Sequence, residues 1–404
     1  MLQKISLTTF LLPMLLTSEL VLAQIPAQTI TSELGMVVSI DNGEGWSVVG
    51  KTPGTLKIPQ CKQRRVTLTG LKPENLAAYK KELGQLQARC VMLPDALSNA
   101  EFETYVDAGL LADVTSLNFG GIFFLPGTKE KESVPIIAYS CSRLTDITPL
   151  AKLQNLTSFK FPGNPFHGCR GLKDITPLTN LQNLTSLDLC WCEEAADLTP
   201  LTKLQKLTSL DLTGCTGLKD LTPLTKLQKL TSLDLTGCTG LKDLTPLTKL
   251  QNLTSLNLRD CKNLTDIAPL SALRKLTNLD LDGCEKIRDI KPLAWLPNLE
   301  YLDLSECKKI TNFYPISGHK KLTRLWLTIP HNDLSFLRNL QRLKVLYLVD
   351  CPKLSNVAPL ANLPKLRTLE FQKCELITEA VVASLKKKLP ASCEVERLET
   401  DNGW

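Results

Sequence analysis

Leucine recurs through the middle of the chain in a repeat of 23 residues. The segment from Cys215 to Ser232 returns from Cys238 to Ser255 with one difference, Asn252 in place of Lys229. One unit, counted from residue 207, carries leucine at positions 207, 210, 212, 218, 221, 224 and 227. These are too many leucines for one face of a single helix or strand. Stacked units must therefore bury them in a shared core, as in a solenoid.

Each unit contains signals for a strand, a turn and a short helix. The second half of residues 207–212 alternates as a strand does, and Thr213-Gly214 is a turn pair. Thr222-Pro223 follows, with threonine as the expected N-cap and proline at the first helical position. Leu224 and Leu227 then lie one turn apart on a short α-helix or 3₁₀ segment.

The signature L-x-x-L-x-L-x-x-C-x-x-L resembles the leucine-rich repeat family. Residues 144–159, LTDITPLAKLQNLTSF, and 201–212, LTKLQKLTSLDL, are similar to bacterial internalin-type repeats, with cysteine at the turn where asparagine is usual. The resemblance implies an α/β fold: a horseshoe-shaped solenoid with a parallel sheet on the concave face and short helices or 3₁₀ segments on the convex face.

Residues 1–23 have the pattern of a secretory signal peptide. Lys4 precedes the apolar run 10–16, and Ala23 ends a small-residue cleavage site. A membrane anchor is the alternative, but the run is shorter than the roughly 20 residues that span a bilayer. We therefore expect an exported protein that is periplasmic, on the cell surface or secreted.

The remaining chain divides into three parts. Residues 24–110 are expected to form an N-terminal cap with irregular first repeats, 111–376 the leucine-rich repeat solenoid and 377–404 a C-terminal cap. The first cap should contain a hairpin of strands 36–40 and 46–49 and helices starting near Pro73 and Ser98. A helix over 377–390 and a strand at 393–395 should close the other end.

The repeat interval changes at two places. Compared with the regular 23 residues, the interval is longer by five residues between Asp146 and Asp174. It is shorter by two residues between Asn312 and Asp333. The insertion falls within 162–168 and the deletion at 329–331. Such changes occur in loops along one edge of a solenoid, which makes both loops candidate functional loops, although neutral drift in a surface loop is the favoured explanation.

Most of the fourteen cysteines share one turn position. Equivalent residues of stacked units repeat at about 4.8 Å, longer than the roughly 3.8 Å between the Cβ atoms of a disulfide. We therefore predict a ladder of reduced, buried thiols. Its ten members are Cys141, Cys169, Cys192, Cys215, Cys238, Cys261, Cys284, Cys307, Cys351 and Cys374.

Four cysteines remain outside the ladder. Cys61 and Cys90 flank a helix of the cap, where a disulfide and two free thiols are both possible. Residues 389–395, LPASCEV, are similar to the terminal unit of ribonuclease-inhibitor-like repeats, which implies a buried thiol at Cys393. In Cys190-Trp-Cys192, Cys190 is expected to be a surface thiol next to a ladder thiol, and a redox or metal role for this pair is the alternative.

Composition and motifs give little support for catalysis or nucleic-acid binding. The net charge is +6, and the basic residues are spread along the units rather than clustered with aromatic residues. The three histidines have no ligand spacing, and no catalytic or phosphate-binding motif is present. We expect no enzyme activity, no cofactor and no metal. An enzyme using Cys190, with a histidine and an acid converging on it, is the minor alternative.

The polar positions of the strands predict the binding surface. Tyr301, Arg324, Trp326 and Tyr347 should form one patch, with Ile329 and His331 on the shortened loop beside it. Exposed tryptophan, tyrosine and arginine are typical of interface hot spots. Toward the N-terminus the residues at the same strand positions are small or acidic. This fits either a basic partner or aspartates that are solvated.

The sequence therefore predicts an exported, non-enzymatic, monomeric leucine-rich repeat protein that binds a protein ligand, possibly basic, through its concave face. Neither nucleic-acid binding nor stable membrane insertion is expected. The alternative is a structural protein of the cell envelope or surface without a discrete ligand.

Overall fold

The computed structural model of the chain describes strands and helices between residues 28 and 119 and, continuously, residues 144–161 and 169–398. The predicted signal peptide, the hairpin turn at 42–45, Cys61, Cys141 and the 162–168 loop lie outside the described residues. Only the backbone of Cys90 is described, so the choice between a disulfide and two free thiols at Cys61 and Cys90 stays untested.

A sheet of sixteen strands dominates the described residues, in the order β18 to β5 and then β2 and β3. Each successive pair from β5 to β18 is parallel, whereas β2 pairs antiparallel with both β3 and β5. Strands β1 and β4 form a separate antiparallel pair. The bounds are β1 Gln28–Ser32, β2 Met36–Asp41, β3 Trp46–Lys51, β4 Gly54–Ile58, β5 Gln63–Leu68, β6 Cys90–Leu93, β7 Ser116–Phe119, β8 Ser158–Lys160, β9 Ser186–Asp188, β10 Ser209–Asp211, β11 Ser232–Asp234, β12 Ser255–Asn257, β13 Asn278–Asp280, β14 Tyr301–Leu304, β15 Arg324–Leu327, β16 Val345–Val349, β17 Thr368–Gln372 and β18 Glu394–Leu398.

Short 3₁₀ segments return each unit to the next strand. This settles the choice between α-helix and 3₁₀ and confirms the horseshoe class, a parallel sheet backed by short 3₁₀ turns. The segments are Thr148–Lys152, Thr176–Asn180, Thr199–Lys203, Thr222–Lys226, Thr245–Lys249, Ala268–Ala272, Lys291–Trp295, Tyr314–Ile316, Ser335–Asn339 and Ala358–Asn362. The α-helices are α1 Leu76–Gln85, α2 Asn99–Asp107 and α3 Glu379–Lys386.

The predicted threonine N-caps are wrong. Thr222 is the first residue of its 3₁₀ segment, and its amide donates to Oδ1 of Asp220 at 2.8 Å. Asp243 accepts in the same way from Thr245. An aspartate two residues upstream reaches the first free amide of the segment, because a short side chain can mimic one turn of backbone there.

The leucines form one continuous core. In the unit counted from Leu207, all seven leucines are at most 1% exposed. The core is closed at the C-terminal end by α3, whose Val382 and Leu385 are buried and whose N-cap is the Thr378 side chain. In the N-terminal part, α2 buries Phe102 and Tyr105.

The residue before each ladder cysteine holds a left-handed backbone conformation in many units. Gly214 has φ +72° and Gly237 +69°, and Trp191 takes the equivalent place at +58°. A Cβ added to Gly214 would lie 2.3 Å from the Trp191 ring, whereas one added to Gly237 would meet its nearest atom at 3.8 Å. Both glycines thus relieve backbone strain, and Gly214 also leaves room for an indole.

Eight ladder cysteines are free and buried as predicted: Cys192, Cys215, Cys238, Cys261, Cys284, Cys307, Cys351 and Cys374. Most donate the S–H to the carbonyl of a buried leucine in the preceding unit. Cys238 bonds Leu212 O at 3.3 Å and Cys284 bonds Leu258 O at 3.1 Å. The ladder therefore consists of hydrogen-bonded thiols that connect neighbouring units.

The prediction was wrong for Cys169, which is disulfide-bonded. Its partner is not among the other described cysteine side chains, which are all free. Cys169 follows directly on the insertion at 162–168, so the regular repeat spacing that keeps thiols apart does not hold there. Cys393 is free and half-buried, and Cys190 is 6% exposed rather than on the surface.

We predict that Gly214→Ala destabilises the fold more than Gly237→Ala. Both changes should cost about 1 kcal/mol for the left-handed backbone, and only Gly214→Ala adds the clash with Trp191. Urea unfolding followed by circular dichroism measures the two free energies. Adding Trp191→Ala should bring the Gly214 variant to the level of the Gly237 variant, and equal midpoints of the two single variants would contradict the account.

Thiol counting provides a second check. In the folded protein a thiol reagent should label about one cysteine, Cys393, because the other described free cysteines are buried. After denaturation without reductant, at least the ten free cysteines should react. Fewer than ten reactive thiols would mean that the ladder contains disulfides.

The concave face as a candidate binding surface

The strand register places the predicted surface residues in columns. Asp211 pairs with Asp188 on one side and Asp234 on the other, and Trp326 pairs with Tyr347. Side chains two apart on a strand point to the same face, so the neighbouring column also faces outward. In that column Tyr301 pairs with Arg324. Four of the six predicted patch residues are therefore brought together as expected.

Tyr301, Trp326 and Tyr347 form a continuous aromatic stack across β14, β15 and β16. The ring centroids of Tyr301 and Trp326 are 5.0 Å apart at an interplanar angle of 44°. Those of Trp326 and Tyr347 are also 5.0 Å apart and nearly parallel, at 8°. Since the rings cover one another's faces, the stack presents mainly ring edges to a ligand.

Carboxylates fix the two ends of this aromatic stack. The Tyr301 hydroxyl lies 3.4 Å from a carboxylate oxygen of Asp280 and 3.5 Å from one of Asp303, and shares its single proton between them. The Tyr347 hydroxyl bonds Glu370, and the pKa of Tyr347 is raised first by burial and then by that charge. All three rings are half-buried, and Arg324 is exposed beside them. The aromatic stack is thus held in place before any ligand arrives.

Two predicted site residues lie apart from the stack of Tyr301, Trp326 and Tyr347. Ile329 is 0% exposed, and its amide donates to Cys351 Sγ at 3.3 Å. The deletion at 329–331 shifts Ile329 into the core at the ladder level, so its assignment to a binding site is wrong. His331 is half-buried, and its ring centroid lies 5.9 Å from that of Phe313. Its Nδ1 accepts a hydrogen bond from the Asp333 amide. It lies four residues past the end of β15, at the edge of the solenoid.

The acidic column has a structural role that the sequence interpretation missed. Asp211 accepts from the Thr213 amide at 2.9 Å, Asp234 from Thr236 at 2.8 Å and Asp303 from Ser305 at 2.8 Å. Each aspartate thereby shapes the chain where it leaves the strand. One carboxylate oxygen accepts this backbone hydrogen bond. The other can accept from a neighbouring side chain, as Asp234 does from Asn257 at 3.0 Å.

A further column, two residues beyond the aspartates, also escaped the sequence interpretation. It contains Arg259 and Asp282, which form an ion pair of 3.1 Å. Burial, followed by the charge of Asp303, raises the pKa of Asp282 to about 6 and that of Asp280 to about 7. The strand period of two residues was the signal that could have identified this column.

Cys190 lies in that same column, in the unit before Thr213. Burial is the main cause that raises the pKa of its thiol, and the charges of Asp188 and Asp211 add to it. The described histidines, His319 and His331, lie at least five strands away. A thiol held protonated is a poor nucleophile, which weighs against the Cys190 enzyme. His167, the third histidine, lies outside the described residues.

Comparisons with known proteins agree with this geometry. The family model for leucine-rich repeats in two copies matches residues 205–249 and 251–295. The solved structure of the internalin InlF of Listeria monocytogenes has 22% identity and a TM-score of 0.50, covering 82% of this chain and 91% of that one. Internalin C2 of the same species has 31% identity and a TM-score of 0.32, covering 48% and 74%.

The chain belongs to the leucine-rich repeat family. Its repeats are of the internalin type. A third Listeria structure, the functional domain of InlJ, is described as including a cysteine ladder; it has 20% identity and a TM-score of 0.39, covering 63% and 60%. No curated protein matched the chain. Leucine-rich repeat proteins commonly mediate protein–protein interaction, and the internalin-like fold is typically not enzymatic. Among the helices of the described residues, none is long and apolar enough to span a bilayer.

We predict a pH-dependent stability that centres on Asp280. Its folded-state pKa of about 7 lies above the roughly 3.9 of an unfolded aspartate. The folded protein therefore binds this proton more tightly, and stability falls as the pH rises from about 4 to about 7. Asp280→Asn keeps the acceptor for the Asp282 amide and removes the charge. At pH 8 the variant should be more stable than the wild type by at least about 1 kcal/mol.

Urea unfolding of both proteins from pH 4.5 to 8 tests this prediction, and the difference should shrink toward pH 4.5. His319, whose burial lowers its pKa to about 4, changes stability in the opposite direction on acidification but is common to both proteins. Glu285→Gln removes an exposed carboxylate and serves as the control. A constant difference across the pH range would refute the assignment.

Proposed function

We propose that the chain is an exported protein that binds a protein ligand through its concave face, with the Tyr301–Trp326–Tyr347 stack as the main contact. The observation that carries the proposal is this aromatic stack on a rigid parallel sheet, tied by hydroxyl–carboxylate bonds at both ends. Aromatic residues held in place before binding lose little entropy on complex formation.

The surroundings of the aromatic stack favour an apolar contact with a basic rim on the partner. Half-buried ring edges offer apolar area, and Arg324 adds one cation. Asp280, Asp303 and Glu370 flank the stack with carboxylates. Basic groups on the partner would reduce the repulsion among these carboxylates and speed association more than they strengthen the complex.

The remaining parts of the proposal rest on the sequence. Export follows from the charged start at Lys4, the apolar run 10–16 and the cleavage pattern at Ala23. A monomer with the domain boundaries given above, with caps at both ends of the repeats, fits the capping helix α3, which covers the last leucines.

We expect Trp326→Ala to weaken ligand binding by about thirtyfold or more, because truncating a hot-spot residue typically costs at least about 2 kcal/mol. A phage-displayed peptide library selected on the immobilised wild-type protein provides the ligands. The dissociation constants of the enriched peptides are then measured on wild type, Trp326→Ala and Tyr347→Ala. Circular dichroism verifies that each variant is folded.

Trp295→Ala is the matched control. Trp295 is 62% exposed at the end of a 3₁₀ segment on the opposite side of the solenoid, so its loss should leave binding unchanged. Peptides that bind Trp326→Ala as tightly as wild type would place the site elsewhere. A selection without any enriched peptide would favour the structural alternative without a discrete ligand.

A further inference from the structure

Three potential metal ligands converge on the concave face near its N-terminal part. They are the carboxylates of Asp188 and Asp211 and the thiol of Cys190, whose ligand atoms all lie within 4.8 Å of one another. Asp188 and Asp211 are register partners on β9 and β10. Cys190 follows Asp188 by two residues and therefore points to the same face.

The next two units carry threonine at the position that is equivalent to Cys190. Thr213 and Thr236 occupy it there, and the Thr213 hydroxyl bonds the Asp234 carboxylate at 3.2 Å. At Cys190 a soft sulfur donor replaces this hydroxyl. The residue is only 6% exposed, and its thiol faces the two carboxylates. The other cysteine of this turn, Cys192, directs its thiol to the Cys190 carbonyl.

Without a cation, the groups at this site are poorly compensated. The half-buried carboxylate of Asp188 lies beside that of its register partner Asp211 on the next strand. The cation that faces this carboxylate is Lys160, on the preceding strand β8, and it is exposed. A divalent ion between the three donors would neutralise both carboxylates and favour the thiolate.

We propose that Asp188, Cys190 and Asp211 bind one divalent transition-metal ion of the zinc type. A thiolate with two carboxylates suits zinc, whereas calcium and magnesium prefer oxygen donors alone. Zinc–sulfur and zinc–oxygen distances of about 2.3 and 2.0–2.2 Å place the donors roughly 3–4 Å apart, which small side-chain rotations would achieve here. On binding, the metal–sulfur bond forms, the S–H bond breaks and the proton passes to solvent.

Cobalt titration of the whole, folded protein tests the site. Co²⁺ bound to a thiolate gives a near-ultraviolet charge-transfer band, and Zn²⁺ should displace it at a ratio of one ion per chain. Cys190→Thr, which places the residue of the next units at this position, should abolish the band. Asp211→Asn should weaken Zn²⁺ binding by at least about tenfold.

Two variants serve as controls. Asp234→Asn changes the next aspartate of the column, and Cys393→Ser removes the most exposed of the described free thiols. Both should keep the band and the affinity. The proposal is overturned if wild type takes up neither ion at micromolar concentration, or if the band survives in Cys190→Thr and disappears in Cys393→Ser.

Discussion

The spacing of parallel strands is the constraint on which this structure depends. Each unit must return its strand to a position about 4.8 Å from the preceding one, with the backbone hydrogen bonds in register. Leu210 pairs with Leu233, and Leu233 pairs with Leu256, so equivalent residues of successive repeats lie side by side. The interior next to the strands then admits one layer of leucines per unit, and the turn has room for one small buried side chain, which is cysteine.

The same spacing makes equivalent residues into neighbours, whatever their chemistry. Thiols at this separation form hydrogen bonds to carbonyls rather than disulfides. Rings at this separation stack, as Trp326 and Tyr347 do. Carboxylates at this separation repel one another, so the pKa of Asp280, raised first by burial, is raised further by the charge of its register partner Asp303. The properties of the concave face thus arise from columns more than from single residues.

The fold could be predicted because the period is visible in the sequence. Strand β18, helix α3 and the cap helices also followed from local pattern. The errors occurred where an expectation from neighbouring residues in the sequence conflicted with the packing between repeat units. Thr222 looked like an N-cap, but Asp220 lies within reach of the same amide. Ile329 looked exposed on a shortened loop, but the deletion moves it to the ladder level. Cys190 was expected to be a surface thiol, but the strand alternation places it on the concave face beside two carboxylates, where it is only 6% exposed.

The candidate metal site and the aromatic stack belong to one face yet are physically independent. Strands β10 and β14 are four spacings apart, which is about 19 Å at the usual strand separation. This exceeds the screening length of about 8 Å at physiological ionic strength, and changes more than about 10 Å apart usually add without coupling. Asn257 also interrupts the acidic column between the two sites. Because the sheet between them is rigid and its leucines are fully buried, a charge change at Cys190 has no loose element through which to reach Trp326. Any coupling between the two sites would therefore require a ligand long enough to contact both.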